Sequence, residues 1–360
     1  MRLENYQLLG TIREHKYRIS SLAITPDNKK FASASLDNTV KIWNLETGEL
    51  IHNLTEHSSE VNSIAITPDG KTLISGSSDS TVKLWNIETG ELVNTISGYS
   101  RNKGVVCSVA ISPDGSLLAC SRDYCDEGDN RENECIIQVW RLDTLQPVTF
   151  LTGDFETTVI EFSDDGQYIA GCFWECGKVW KIPSWELINT FEAFGLHGAA
   201  TFSPNLKVVS QNSYHSSDIY LRDVFTGEEI KCFPHTEEWE DIETSAFGFT
   251  SDSKILVSGG CGSNILNFWE LPSANLIGSI SSSIESDYTA LQFNSDNKIL
   301  VAGGWDGEIE VWELSFDANT QVNKIPFGDT NSLPSDFNAE VYYMEKLKKQ
   351  LNLGDDGLPK

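Results

Sequence analysis

VKIWNLETGELI (40–51) returns almost unchanged as VKLWNIETGELV (82–93). Each copy alternates apolar and polar residues up to a tryptophan, turns through a polar ETG and resumes with an apolar pair. Weaker copies follow at IQVWRLDTLQPV (137–148), GKVWKIPSWELI (177–188), IYLRDVFTGEEI (219–230), LNFWELPSANLI (266–277) and IEVWELSF (309–316). The central position is held by Trp43, Trp85, Trp140, Trp180, Arg222, Trp269 and Trp312, at spacings of 42, 55, 40, 42, 47 and 43 residues. A second marker runs about 18 residues ahead of most of them: TPDN (25–28), TPDG (67–70), SPDG (112–115), SDDG (163–166), SPNL (203–206), TSDS (250–253) and NSDN (294–297). Two markers recurring in step define a repeat architecture.

The segments between markers read as strands. SSLAIT (20–25) and NSIAIT (62–67) precede the first turn, KFASAS and TLISGS follow it, and VKIW and VKLW follow a second. Pro and Asp suit the opening turn positions, and Gly supplies a positive φ. Each repeat thus holds four short strands, and such a meander repeated at this period is a propeller blade. QLLGTIREH (7–15) aligns with LIHNLTEH (50–57), so residues 6–12 form an outer strand with no blade of their own. The seventh repeat has three strands before the tail. The N-terminal strand is expected to complete it, which closes the ring and removes an open sheet edge.

These features resemble the WD-repeat (WD40) β-propeller family over residues 6–314. The resemblance implies an all-β, seven-bladed β-propeller with a hydrogen-bonded tetrad of His, Ser or Thr, Asp and Trp in each well-formed blade. Blade 1 matches with His15, Ser33, Asp37 and Trp43, and blade 2 with His57, Ser75, Asp79 and Trp85. A buried indole N–H and imidazole need acceptors, which Ser and Asp supply. These eight residues are expected to be structural. Blade 7 keeps Asp306 and Trp312 but has Ala302 at the Ser position; blade 4 has Trp174 for the Asp, and blade 5 has Arg222 for the Trp. No repeat contains the Trp-Asp dipeptide itself.

The 360 residues include 53 Asp plus Glu against 26 Lys plus Arg, a net charge of −27. Such a surface repels phosphate backbones and anionic headgroups, so neither nucleic acid nor membrane is an expected partner. No stretch approaches a membrane span, and MRLENYQLLG has no apolar core of a secretory signal. The cytoplasm is the expected location. Eight cysteines without CxxC spacing read as reduced thiols, although Cys172 and Cys176 flank a turn closely enough for oxidation to join them.

Six histidines, two of them in tetrads, form no HxH or HExxH motif, and there is no GxSxG or phosphate-binding Gly-rich loop. No enzyme activity, cofactor or metal is expected. The acid-rich insertion SRDYCDEGDNRENEC (121–135) fits no calcium-loop template and reads as a solvated hairpin. Two lower-ranked alternatives are a propeller enzyme or metal-dependent hydrolase using channel carboxylates, and a phosphopeptide module using Arg18, Arg101 and Lys103.

Aromatic residues placed where the repeat does not need them are more informative. The loops on one rim of the ring carry Tyr17, Arg18, Tyr99, Arg101, Tyr124, Trp174, Tyr214, Trp239, Tyr288 and Trp305. Large aromatic and Arg side chains on one face are the usual anchors of a protein interface. Tyr17, Arg18, Tyr99, Arg101, Trp174, Tyr214, Trp239 and Trp305 are therefore the candidate partner-binding residues. HTEEWEDIE (235–243) frames Trp239 with carboxylates, which suits a basic segment.

The propeller is expected over 1–314. Residues 315–360 read as a linker and a C-terminal amphipathic helix, with Phe337, Val341, Met344, Leu347 and Leu351 on one stripe of 335–351. The expectation for the whole is a non-enzymatic protein–protein interaction scaffold. It is a monomeric propeller within a complex and presents a loop-borne aromatic and acidic face to one or more proteins.

Overall fold

A computed structural model describes residues 1–97, 104–123, 134–154, 157–174, 176–193, 199–213, 216–233, 245–260, 265–281 and 287–317. The chain divides into Met1–Thr320 and Gln321–Lys360. The helix expected at 335–351 lies outside the described residues, and the last described strand runs to Asp317, past the boundary at 314.

The chain opens with β1 (Arg2–Arg13). Blade 1 is β2 (Ile19–Ile24), β3 (Lys30–Ser35), β4 (Val40–Asn44) and β5 (Leu50–Leu54). Blade 2 is β6 (Val61–Ile66), β7 (Thr72–Ser77), β8 (Thr81–Asn86) and β9 (Leu92–Ser97), and blade 3 is β10 (Val105–Ile111), β11 (Leu117–Asp123), β12 (Glu134–Arg141) and β13 (Gln146–Asp154). Blade 4 is β14 (Thr157–Phe162), β15 (Tyr168–Phe173), β16 (Cys176–Lys181) and β17 (Glu186–Glu192). Blade 5 is β18 (Ala200–Phe202), β19 (Val208–Ser213), β20 (Ser216–Asp223) and β21 (Glu229–Phe233), and blade 6 is β22 (Ser245–Phe249), β23 (Ile255–Gly260), β24 (Ile265–Glu270) and β25 (Asn275–Ser281). Blade 7 is β26 (Tyr288–Phe293), β27 (Ile299–Gly304) and β28 (Glu308–Asp317), with β1 as its outer strand. This is the all-β seven-bladed ring that the repeat predicts, closed by the N-terminal strand.

The turn marker explains why each blade begins as it does. Thr25 Oγ1 donates to Asp27 Oδ1 at 2.7 Å, and the Lys29 amide donates to the same oxygen at 3.1 Å. The same arrangement recurs at Thr67 and Asp69, Ser112 and Asp114, Ser163 and Asp165, and Thr250 and Asp252. The side chains thereby satisfy turn amides that the sheet leaves without partners.

The core is distributed among the seams. Among the described residues, seven apolar clusters each join two adjacent blades, for example Ala32, Ile42 and Leu54 with Ile64, Leu73 and Trp85 between blades 1 and 2. Burying one indole side chain removes about 200 Å² from water, worth about 5 kcal/mol before entropy is subtracted. No blade buries its faces alone, so the ring holds together through its neighbours. β1 also crosses a seam: Leu3 packs into the blade 6–7 cluster, and the amino terminus pairs with Glu270 at 3.0 Å. Tyr6 meets Trp312 edge-on, with ring centroids 6.3 Å apart.

Two assignments made from the sequence change. Tyr288 is not a rim residue; it begins β26 and is fully buried. Trp174 does not stand at the Asp position. Tyr168 pairs with Lys181 as Thr72 pairs with Asn86, which puts Trp174 level with Ser78. The alignment slipped because the blade 4 hairpin is one residue shorter than that of blade 2, so counting back from the tryptophan misplaces its turn.

Candidate functional site

The tetrads lie between blade faces rather than at a surface. In blade 1, His15 Nδ1 lies 2.9 Å from Asp37 Oδ2, His15 Nε2 lies 2.8 Å from Ser33 Oγ, and Trp43 Nε1 donates to Ser33 Oγ at 2.9 Å. Blade 2 repeats this at 2.8, 2.7 and 2.9 Å with His57, Asp79, Ser75 and Trp85. A carboxylate only accepts, so Nδ1 of the imidazole donates to Asp; in a neutral ring Nε2 accepts from the hydroxyl, which accepts from the indole. Burial pushes His57 below its ordinary value, and Asp79 offsets this only in part. Burial alone would raise Asp37, but His15 and Thr39 hold its carboxyl well below the usual range.

Other blades solve the same problem with other residues. Trp269 Nε1 donates to Ser258 Oγ at 2.9 Å in blade 6. In blade 3 the buried Cys120 stands where blades 1 and 2 have Ser33 and Ser75. Blade 7, with Ala302 at the Ser position, uses Glu310: Tyr288 Oη donates to its Oε2 at 2.6 Å and Trp312 Nε1 at 3.0 Å. Arg222 in blade 5 reaches out to Glu192 at 3.1 Å. Glu310 escaped the sequence reading because it stands where blades 1 and 2 have Lys41 and Lys83.

The rim aromatics that the structure describes fall in two places. At the seam of blades 7 and 1, Tyr17 and Trp305 are exposed, at 63% and 47%. Arg18 lies over the Trp305 ring, its Cζ 5.0 Å from the centroid. The position is fixed by backbone contacts. The Ser35 hydroxyl donates to the Tyr17 carbonyl at 2.9 Å, the Leu36 amide to the Arg18 carbonyl at 3.0 Å, and the Trp305 amide to the Asp287 carbonyl at 2.9 Å. Gly307, at a φ of +82°, lies so close that a Cβ there would be 2.6 Å from the His15 carbonyl oxygen and 2.8 Å from that of Tyr17. Only glycine lets the two loops touch. Trp174, half-buried, stands at the equivalent hairpin position in blade 4. Tyr99, Arg101, Tyr124, Tyr214 and Trp239 lie outside the described residues, as do residues 124–133 of the acidic insertion.

Arg18 and Trp305 also line the mouth of the axial channel, a bore of 720 Å³ walled by the inner strands. Among its described lining residues Glu161 is the one carboxylate. Its side chain opens onto the bore, and the surrounding protein pushes its carboxyl up. Hydrolysis by paired carboxylates needs a second carboxylate nearby, and the described lining supplies none. Among the described residues no group of three or more His, Cys, Asp and Glu is placed to hold a metal ion. No disulfide joins Cys172 to Cys176, and the other described cysteines 107, 120, 135 and 232 are likewise outside disulfides.

A ring of seven four-stranded blades around an axial channel, with tetrads between the blades, defines a β-propeller of the WD type. The family described as WD domain, G-beta repeat matches residues 6–44, 48–86, 90–125 and 275–313, four segments consistent with a WD-repeat family. The matches cover blades 1, 2 and 7, part of blade 3 and the outer strand of blade 6; blades 4 and 5 and the first three strands of blade 6, which keeps its Trp269–Ser258 pair, are unmatched. Comparison with curated proteins gives no match. WD-repeat propellers are generally non-enzymatic scaffolds that bind other proteins.

Proposed function

We propose that this protein is an interaction scaffold whose partner docks on the rim at the seam of blades 7 and 1, over Tyr17, Arg18 and Trp305. The observation that carries this reading is the exposure of two large aromatic side chains beside an arginine on tightly fixed backbone. Because the loops are already ordered, docking loses little conformational entropy. The net charge of −27 favours a partner segment that is basic, or basic and aromatic. The propeller acts as a monomer within a complex. We assign it to the cytoplasm, a reducing compartment that suits the six described cysteines, which lie outside disulfides.

The test is quantitative affinity purification from native cells, comparing wild type with Tyr17→Ala/Trp305→Ala. Both side chains point out of the fold, so the melting temperature should stay within about 2 °C while at least one partner is depleted about tenfold. Recovery of the same partners in the same amounts would remove this face from consideration.

A further inference from the structure

The opposite rim carries a groove that neither the tetrads nor the channel mouth uses. It lies between blades 3 and 4, has a volume of 360 Å³, and is walled by Asp114, Val148, Asp165, Pro183 and Trp185.

At two other seams a side chain closes this space. His52 Nε2 of blade 1 donates to the Glu88 carbonyl of blade 2 at 2.9 Å, and its ring lies against Gly90. Asn189 Nδ2 of blade 4 donates to the Val224 carbonyl of blade 5 at 3.2 Å. Register identifies the blade 3 counterpart: Val139 pairs with Thr149 as Ile42 pairs with His52 and Val179 with Asn189. Thr149 is short, and among the described residues no hydrogen bond joins it to the turn of blade 4; Trp185 of that turn packs against the blade 3–4 cluster instead, and the groove lies open beside it.

That turn presents an aromatic residue in a conformation suited to glycine. The Trp185 amide donates to the Lys181 carbonyl as the Gly48 amide does to that of Asn44, and Trp185 has a φ of +59° where Gly48 has +70°. Left-handed backbone disfavours any residue with a Cβ, and a bulky one most. Beside the groove the outer strands leave Val148, Phe150, Leu187 and Ile188 exposed.

The charge around this apolar floor is acidic. Asp114 and Asp165 stand on either wall, one from each blade, and hydrogen bonds from the Ser112 and Ser163 hydroxyls hold both carboxyls below the usual range. Arg141 is the one cation in the lining. The lining therefore carries two acids against one base on a ring that is itself strongly negative.

We propose that this groove is a second docking site for an extended basic segment of a partner protein. A bulky aliphatic or aromatic side chain enters between Val148 and Trp185, and flanking Lys or Arg residues pair with Asp114 and Asp165. The site is distinct from the rim at blades 7 and 1 and stands or falls separately.

The probe is a fluorescein-labelled peptide, Gly-Lys-Lys-Phe-Leu-Lys-Lys-Gly-Gly, titrated with the full chain and read by fluorescence anisotropy. The control peptide replaces Phe-Leu by Ala-Ala. The apolar pair should tighten binding about tenfold over the control. Trp185→Gly, which restores the residue used in blades 1, 2 and 5, should abolish that preference, and so should Thr149→His/Trp185→Gly, which imitates the closed seam of blade 1, where His52 lies against Gly90. A single cooperative melting transition for each variant would show the ring intact. Tyr17→Ala/Trp305→Ala should keep the preference. Equal binding of the two peptides would reduce the effect to attraction by an acidic ring and overturn the proposal. A preference that survives both groove variants would place the peptide elsewhere and overturn it as well.

Discussion

The Ser75 hydroxyl serves two buried rings at once, accepting from Trp85 and bonding His57. Removing it leaves an indole N–H and an imidazole nitrogen buried without their partner. Ser75→Ala should therefore cost about 1–3 kcal/mol, read as a lower midpoint in urea with the slope unchanged. A loss under about 0.5 kcal/mol, the level of an ordinary surface change, would show that the tetrad does not hold blade 2. Blade 7 reaches the same end by a different residue. Glu310 accepts from Tyr288 and Trp312 together, so one carboxylate does the work of the missing serine.

At the scale of elements, the decisive strand is β1. It pairs with β28 from Arg2 opposite Asp317 to Arg13 opposite Glu308 and carries Leu3 across to blade 6. Deleting residues 2–13 would expose the edge of β28 and uncover the blade 6–7 cluster. An unpaired edge with apolar surface beside it is a template for association. The truncated chain should elute as dimers or larger species in size-exclusion chromatography, with a lower melting temperature than the full chain. A monomer of unchanged stability would mean that the ring does not depend on this closure.

At the scale of the whole ring of described residues, the turn and tetrad carboxylates are bound into the fold. Asp27, Asp69, Asp114 and Asp165 are held low first of all by hydroxyl donors in their turns. In the tetrads burial opposes ionisation of Asp37 and Asp79, yet the hydroxyl and imidazole donors outweigh it. Every one of these values is depressed in the fold, and so is that of His57. Unfolding therefore takes up protons on acidification, and the stability these groups contribute is complete only above their unfolded values. In Glu161→Gln, which removes the one described carboxyl that the fold pushes up, it should be lost in two stages, first as pH falls below the 6.5 of a free histidine, then below the 3.8 of a free aspartate. Melting curves from pH 7.5 to 3 in about 0.3 M salt, which screens repulsion among the acids, would test this. Melting temperatures that rise on acidification would contradict it.

The sequence by itself determined the blade number, the strand order and the closure by residues 6–12, which follow from local periodicity and turn chemistry repeated often enough to be read without a structure. Its resemblance to WD repeats implied the two complete tetrads. It also marked Tyr17, Arg18 and Trp305 as residues the repeat does not require. Only the tertiary structure decided that these three meet, because Arg18 and Trp305 lie at opposite ends of the chain and are joined by ring closure. It likewise decided that Tyr288 turns inward to Glu310 and that a groove lies open at the seam of blades 3 and 4. Those outcomes depend on which side chain of one blade reaches the next, a contact between repeats that the pattern within a repeat does not encode.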